Sequence, residues 1–110
     1  MAAYAFAHLV TVDLNEEVAD YLRRIDDTLP EFHGAFLIHG STPEVMDGEF
    51  PGVLVVIAFP DIDRARAWYE SPGYQGIVGL RTNNSIGGAA IVDGVPEGYR
   101  ADSFLTKVRA

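Results

Sequence analysis

Three histidines, His8, His33 and His39, are the side chains best suited to acid–base chemistry near neutral pH. His8 lies in an apolar stretch, where it is either a hydrogen-bonded core residue or a base in a pocket. His39 ends another apolar stretch, and both a pocket role and a plain strand-end role fit it. His33 precedes a glycine and is best interpreted as a solvated turn residue. No two histidines have the spacing of metal ligands, so the sequence predicts no metal site.

Arg81 is the strongest single candidate for contact with an anionic ligand. It closes an apolar helical segment, where an arginine either pairs with an acid, supports the helix C-terminus or binds an anionic group through two nitrogens. An arginine that stabilises an enolate, beside a histidine that moves a proton, would be a catalytic pair.

Aromatic and amide side chains surround Arg81 in the sequence. Trp68 and Tyr69 are adjacent, so they point about 100° apart on a helix; Trp68 is expected in the core, and Tyr69 then faces a cavity or an interface. Tyr74 fits a proton donor and an interface aromatic equally well. The predicted catalytic residues are His39, Arg81, His8 and Tyr69, and the predicted substrate-binding residues are Trp68, Tyr74, Asn83 and Asn84.

The first half of the chain predicts a strand, a helix and a second strand. Tyr4 to Val12 alternates with both faces largely apolar, as in a strand covered on both sides. Asp13, with Glu16 three residues later, forms a capping-box pattern for a helix that ends at Thr28-Leu29-Pro30. Ala35 to His39 is the second strand, with Glu44 to Met46 as a short continuation and Asp47-Gly48 as a tight type I′ hairpin turn.

The second half predicts a strand, a bent helix and a final strand. Val53 to Phe59 is continuously apolar and β-branched, as in a central strand buried on both faces. Asp61 is a candidate N-cap, and Ser71-Pro72 ends one helix and starts the next. A polar loop follows, and Ala89 to Val92 is the fourth strand. Residues 1–95 are expected to form one domain and residues 96–110 a C-terminal tail, in which Phe104, Leu105 and Val108 are candidates for docking on a neighbour.

Composition narrows the possible functions. The chain has 110 residues, 16 acidic and eight basic, for a net charge of −8, which argues against binding to nucleic acid or to an anionic membrane. There is no cysteine, no basic leader and no apolar run near the ~20 residues of a membrane span. The expectation is a cytoplasmic protein without a cofactor that binds a small-molecule ligand.

The β-α-β-β-α-β order predicts an α+β, ferredoxin-like fold with a four-stranded antiparallel sheet. Two helices cover one side of such a sheet and leave the other side bare. Here the bare side is expected to be apolar, and a monomer rarely exposes a large apolar patch. A second copy of the chain is the simplest cover, so the sequence predicts a homodimer.

The chain resembles the DUF1330 family over roughly Ala3 to Val95. Departures from the family pattern are His39 in place of a basic residue, Asp47 in place of Glu and Phe50 in place of Trp. The resemblance implies a dimeric α/β barrel, within a superfamily that includes cofactor-free monooxygenases, isomerases, cyclases and haem-handling enzymes. The matching features are His33-Gly34, Gly40, Asp47-Gly48, Phe59-Pro60, Ala67-Trp68-Tyr69, Ser71-Pro72, Tyr74, Leu80-Arg81 and Gly94.

Two classes of function follow. The first is a small cofactor-independent enzyme, of isomerase, cyclase or monooxygenase type, acting on an aromatic or polyketide-like metabolite in a pocket between sheet and helices. The second is a non-catalytic ligand-binding or assembly dimer, which the absence of a GxSxG elbow or a GxGxxG loop favours. Fold alone does not decide between them.

Overall fold

The computed structural model describes residues 1–109, and their side chains as far as residue 106. Two short 3₁₀ turns, Asp26–Thr28 and Pro30–Phe32, join the first helix to the second strand. The strands are β1 (Ala3–Val12), β2 (Ala35–Ser41), β3 (Val53–Phe59) and β4 (Ser85–Asp93), and the helices are α1 (Glu16–Ile25), α2 (Ile62–Glu70), α3 (Pro72–Thr82) and α4 (Ser103–Arg109).

The four strands form one antiparallel sheet in the order β2-β3-β1-β4. This is the predicted α+β, ferredoxin-like fold. β1 and β3 are central, and the helices α1, α2 and α3 pack over one side of the sheet. We call this side the helix-covered face and the other side the open face.

Strand alternation assigns the sheet residues to the two faces. Ala3, Leu9, Ile57 and Phe59 are buried on the helix-covered face. Residues of the open face are apolar but only partly covered; Val92, for example, is 47% exposed. The prediction that β3 is buried on both faces is therefore wrong for a single chain, because the helices cover only one side. On β1 and β3 the open face carries Tyr4, Phe6, His8, Leu54, Val56 and Ala58.

Helix α1 begins two residues later than the capping-box pattern predicted. Asn15 is its N-cap, and Asn15 Oδ1 accepts a hydrogen bond from the Val18 amide at 3.0 Å. The amide of Asp13 instead donates to the carbonyl oxygen of Asn84 at 2.8 Å. Asp13 is thus tied to the turn before β4, and the cap falls to Asn15 two residues later. The helix also ends early, at Ile25, and the buried Leu29 follows a 3₁₀ turn.

The bent helix predicted around Ser71-Pro72 is confirmed. Asp61 caps α2 by accepting from the Arg64 amide at 2.8 Å, and Ser71 caps α3 by accepting from the Tyr74 amide at 3.3 Å. Pro72 occupies the first turn of α3, where no backbone donor is needed. Two short helices therefore meet at one serine, as the local sequence indicates.

The connection between β2 and β3 is a long loop, residues 42–52, and not a tight hairpin. Among the described residues only His33 has a positive φ without being glycine, so Asp47 cannot take the backbone of a type I′ turn. The predicted strand from Glu44 to Met46 is also absent. Pro43 and Pro51, which have no backbone donor, interrupt strand pairing at both ends of the loop.

β4 is longer than predicted and begins at Ser85. Gly87 lies within it at φ 153°, and a side-chain carbon there would sit 2.1 Å from the carbonyl oxygen of His8. The glycine pair therefore belongs to the strand, beside a bulge in β1 between Leu9 and Thr11. The predicted polar loop shrinks to the turn at Asn83 and Asn84.

The tail after residue 95 contains α4, a short helix that the sequence did not predict. Phe104 and Leu105 are 54% and 52% exposed, so they do not dock on this chain. The predicted docking of Val108 lies outside the described side chains. Within the part of the chain that the structure describes, no helix has the length and apolar character needed to cross a membrane.

Candidate functional site

A cavity of about 900 Å³ lies between the helix-covered face and the helices. A volume of this size suits a small organic ligand. Small or branched side chains of β1 and β3 form its floor, and α1, α2 and α3 contribute its roof. The polar, aromatic and charged members of the lining are Phe6, Tyr21, Phe36, His39, Arg66, Trp68, Tyr69, Tyr74 and Arg81.

The charge of this lining is opposite to the charge of the chain. The protein carries 16 acidic residues and a net charge of −8. Within residues 1–106, whose side chains are described, the cavity is lined by two arginines and a histidine but by no aspartate or glutamate. The cavity is therefore electrostatically suited to an anion and not to a cation.

Arg81 lies in the last turn of α3 and is only partly exposed. Its guanidinium carbon lies 6.0 Å from the centre of the Tyr21 ring. Among the described side chains no carboxylate comes within 4.0 Å of it, so the alternative of a structural salt bridge is not supported. Burial acts to lower the pKa of Arg81, but the neighbouring phenols of Tyr74 and Tyr21 outweigh it and raise the pKa. Arg81 therefore keeps its positive charge.

Tyr21 and Tyr74 form a hydrogen-bonded phenol pair beneath Arg81. Their hydroxyl oxygens are 2.8 Å apart, and their rings meet edge to face at 6.1 Å. Both side chains are buried. Burial first, and then the neighbouring Tyr74, raise the pKa of Tyr21 far above the usual value for tyrosine, so Tyr21 keeps its proton at neutral pH.

Tyr21 is not among the site residues predicted from the sequence. Its role emerges from the packing of α1 on α3, which brings its hydroxyl to Tyr74. The available signal was the hydroxyl itself, because a tyrosine in a buried stripe needs a hydrogen-bond partner.

Tyr21 leads to a prediction about alkaline pH. In the unfolded chain Tyr21 ionises near pH ~10, whereas the folded protein holds its proton more tightly. The unfolded state thus binds fewer protons above pH ~10, and stability should fall there by up to ~1.4 kcal/mol per pH unit. Urea unfolding between pH 8 and 11 should show this decline, with a shallower slope in Tyr21→Phe. Tyr4→Phe is the control, and equal slopes in all three proteins would contradict the assignment.

Trp68 lines the cavity and also packs in the core. It is 3% exposed, which confirms the predicted core position, and its indole nitrogen donates to Thr28 Oγ1 at 2.9 Å. Its ring lies 4.1 Å from the Tyr74 ring and 5.4 Å from the Phe59 ring, between centroids. Tyr69 is 37% exposed and also lines the cavity. The two adjacent aromatics therefore divide as predicted.

His39 faces the cavity because β2 is irregular. The pairing of β2 with β3 shifts between Phe36 and Ile38, so Phe36 and His39 both lie on the helix-covered side. Their rings stack at 4.6 Å with an interplanar angle of 26°. His39 is exposed and lines the cavity. Of the three histidines, it is the one that this cavity brings together with Arg81.

The other predicted site residues lie outside the cavity. His8 is on the open face, where its Nε2–H donates to the Pro51 carbonyl oxygen and its ring lies 4.6 Å from Phe50. Asn84 is occupied structurally, donating to Glu17 Oε1 at 3.0 Å and to the Leu80 carbonyl oxygen at 2.9 Å. Asn83 is the exposed C-cap of α3.

The third histidine, His33, is an exposed turn residue with φ 58°, as predicted. Among the described residues no three His, Asp or Glu side chains gather as a metal-binding group. The polar chemistry of the cavity is therefore that of Arg81, the phenols and His39.

The fold and its cavity define a ferredoxin-like α+β protein with room for a small molecule. The chain belongs to the DUF1330 family, described as a domain of unknown function, whose model matches residues 2–95. The resemblance drawn from the sequence is thus confirmed. No curated protein matches the chain in sequence.

Solved structures share the fold at low sequence identity. A dimeric ferredoxin-like protein of unknown function from Jannaschia sp. CCS1 is 17% identical, with a TM-score of 0.66 and coverage of 87% of this chain and 100% of that one. The RPA0582 protein of unknown function from Rhodopseudomonas palustris is 10% identical, with a TM-score of 0.63 and coverage of 86% and 83%. HapK from Hahella chejuensis is 16% identical, with a TM-score of 0.52 and coverage of 92% and 99%.

Proposed function

We propose that this protein is a small cofactor-independent enzyme of isomerase, cyclase or monooxygenase type, acting on an aromatic or polyketide-like metabolite. The observation that carries the proposal is the cavity of about 900 Å³ that combines an aromatic wall with Arg81 and His39. A flat apolar substrate would pack on Trp68 and Tyr69. The polar groups would then lie at its oxygen atoms.

The proposed chemistry is proton transfer beside a stabilised oxyanion. His39 would move the proton, the role for which enzymes most often use a histidine. Arg81 and the phenol of Tyr74 would stabilise the negative charge that develops on a substrate oxygen. The walls of the cavity would hold the ring system in one orientation, which is itself a large part of catalysis.

The first test is the identity of a ligand. Mass spectrometry of the purified, denatured protein should release an aromatic or polyketide-like compound, and thermal-shift screening of aromatic acids, quinones and lactones should find compounds that raise the melting temperature. For a compound that binds, conversion to product would then be measured by liquid chromatography, with a chelator in the buffer to remove metal ions.

The second test separates the histidines. His39→Ala should lower turnover by ~10²-fold or more, the usual contribution of a general acid or base, with little change in stability because His39 is exposed. Arg81→Ala should lower turnover or affinity more than stability. His8→Ala is the matched control and should retain turnover, since His8 is on the open face. Full turnover in both cavity variants would show that the proposed site is wrong.

The alternative is a binding protein that does not transform its ligand. The cavity wall itself favours this candidate, because among the described residues His39 is the only histidine in the lining and no carboxylate is there to act beside it. A ligand that binds tightly and is recovered unchanged after prolonged incubation would select the binding function over the enzymatic one.

We also propose that two copies pair through their open faces to give a dimeric α/β barrel. Apolar side chains on that face remain uncovered in one chain; Ile38 and Val92 are 37% and 47% exposed. The neighbour from Jannaschia is described as dimeric, which supports a dimer here.

Sedimentation equilibrium should therefore show a dimer at micromolar concentration. Val56→Glu places a charge in the centre of the open face, away from the cavity lining, and should give monomers. Met46→Glu, in the 42–52 loop at 81% exposure, is the control and should leave the dimer intact. A monomeric wild-type protein would contradict the proposed pairing.

A further inference from the structure

Arg81 presents hydrogen-bond donors that the protein does not satisfy. A guanidinium has five N–H donors and no acceptor. Among the described residues, the Arg81 side chain has no ion-pair partner, and its hydrogen-bonding neighbours are the phenols of Tyr21 and Tyr74. Two phenol oxygens that also bond to each other cannot accept from all five N–H groups, so the guanidinium keeps donors for a ligand in the cavity that it lines.

The phenol pair adds a further donor to the same place. Tyr21 and Tyr74 each have one O–H, and only one of the two hydrogens is used in the bond between them. The second hydrogen has no acceptor among the residues that line the cavity near Arg81. The group of Tyr21, Tyr74 and Arg81, which we call the donor cluster, therefore offers a cation and a hydroxyl but no negative charge.

The surroundings of the donor cluster strengthen its attraction for an anion. The nearby walls are aromatic and aliphatic, and they lower the local dielectric, so a charge of opposite sign would interact more strongly here than in water. Because the lining has no aspartate or glutamate, a ligand has to supply that charge. A carboxylate matches a guanidinium fork through two oxygens, and an enolate accepts from it through one.

Resting on the proposed function, we infer that the ligand is an aromatic monoanion whose carboxylate or enolate oxygens bind the donor cluster while its ring system packs on Trp68 and Tyr69. Tyr21 becomes a binding residue that sequence reasoning did not identify. The cavity binds the ligand as an anion already in the ground state, and not only when a reaction intermediate carries the charge. Neutral analogues of the same shape are then discriminated by charge alone.

The test compares 2-naphthoate with 2-naphthamide, which share a ring system and differ in charge, by isothermal titration calorimetry at pH 7. Wild-type protein should bind the acid at least ~10-fold more tightly than the amide, as one charge-assisted interaction provides. The preference should shrink as salt rises. This measurement needs no variant and stands even if a substitution prevents folding.

Single substitutions show which residues produce the preference for the acid over the amide. Arg81→Met should abolish it and leave the affinity for 2-naphthamide nearly unchanged, whereas Arg81→Lys should retain part of it. Tyr21→Phe should weaken binding of the acid several-fold with little effect on the amide. Arg64→Met is the control, because Arg64 is an exposed arginine paired with Asp61 at 3.0 Å and does not line the cavity.

The outcomes separate the inference from the proposed function. Equal binding of acid and amide by the wild-type protein would overturn the inference but leave an aromatic-binding cavity in place. A preference that survives in Arg81→Met would also overturn it, since the anion would then bind elsewhere. Failure of both compounds to bind would count against the proposed function as well as the inference.

Discussion

Replacing Trp68 with alanine should lower the free energy of unfolding by ~3–5 kcal/mol, the range found for buried large aromatics. The side chain is 3% exposed and packs on Tyr74, Phe59 and Tyr69. Its removal would leave a cavity that these rings cannot fill, and Thr28 Oγ1 would lose the indole donor. Equilibrium unfolding in urea, followed by far-UV circular dichroism, measures the loss directly.

Tyr69→Ala is the matched control for Trp68→Ala, because it removes an adjacent aromatic of α2 that is 37% exposed. We expect it to cost about 1 kcal/mol, since a surface change removes little buried area. A loss well below ~1 kcal/mol for Trp68→Ala would mean that the helix does not present Trp68 to the core in solution.

Replacing Gly52 with alanine should destabilise the protein by ~3 kcal/mol or more. Gly52 has φ 89°, a conformation that costs a side-chain-bearing residue ~1–3 kcal/mol. In addition, its new carbon would sit 2.0 Å from the carbonyl oxygen of Leu9. The backbone of β1 cannot move aside as a flexible side chain can, so the start of β3 would have to separate from β1.

Gly40→Ala separates the conformational part of that cost from the part due to the clash. Gly40 has a similar φ of 76°, but nothing lies within 4 Å of the position where its side-chain carbon would be. We expect it to lose only the conformational part, ~1–2 kcal/mol. The difference between the two variants in urea unfolding then measures the clash, and equal losses would show that the strand does not approach Gly52 so closely.

The sequence predicted what is decided locally. Asp61 and the Ser71-Pro72 step place two helix starts by side-chain and ring chemistry that acts within three residues, and both are confirmed. The apolar run from Val53 to Phe59 is long enough to define its own strand. Arg81 was singled out for the same reason, because a cation that closes an apolar helix is visible in the sequence.

What the sequence did not predict depends on contacts between distant segments. The start of α1 moved from Asp13 because the turn before β4 bonds to it, and β4 begins before the predicted Ala89 because Gly87 and Gly88, which count as loop signals, pair within the strand. The 42–52 loop replaced a hairpin because of proline positions at both its ends. Tyr21 entered the site only because α1 packs on α3.

The bulge between Phe36 and Ile38 also decides which chemistry reaches the cavity. In a regular strand, side chains alternate, so Phe36 and His39 could not both point to the same side. Leu37 is the extra residue, so deleting it would leave Phe36 and His39 opposite Ile57 and Val55, and both would still face the cavity. The same residues paired in a regular ladder would instead turn His39 to the open face and place Ile38 in the cavity. Whether this edge strand delivers a proton carrier is thus encoded in its pairing register and not in its composition.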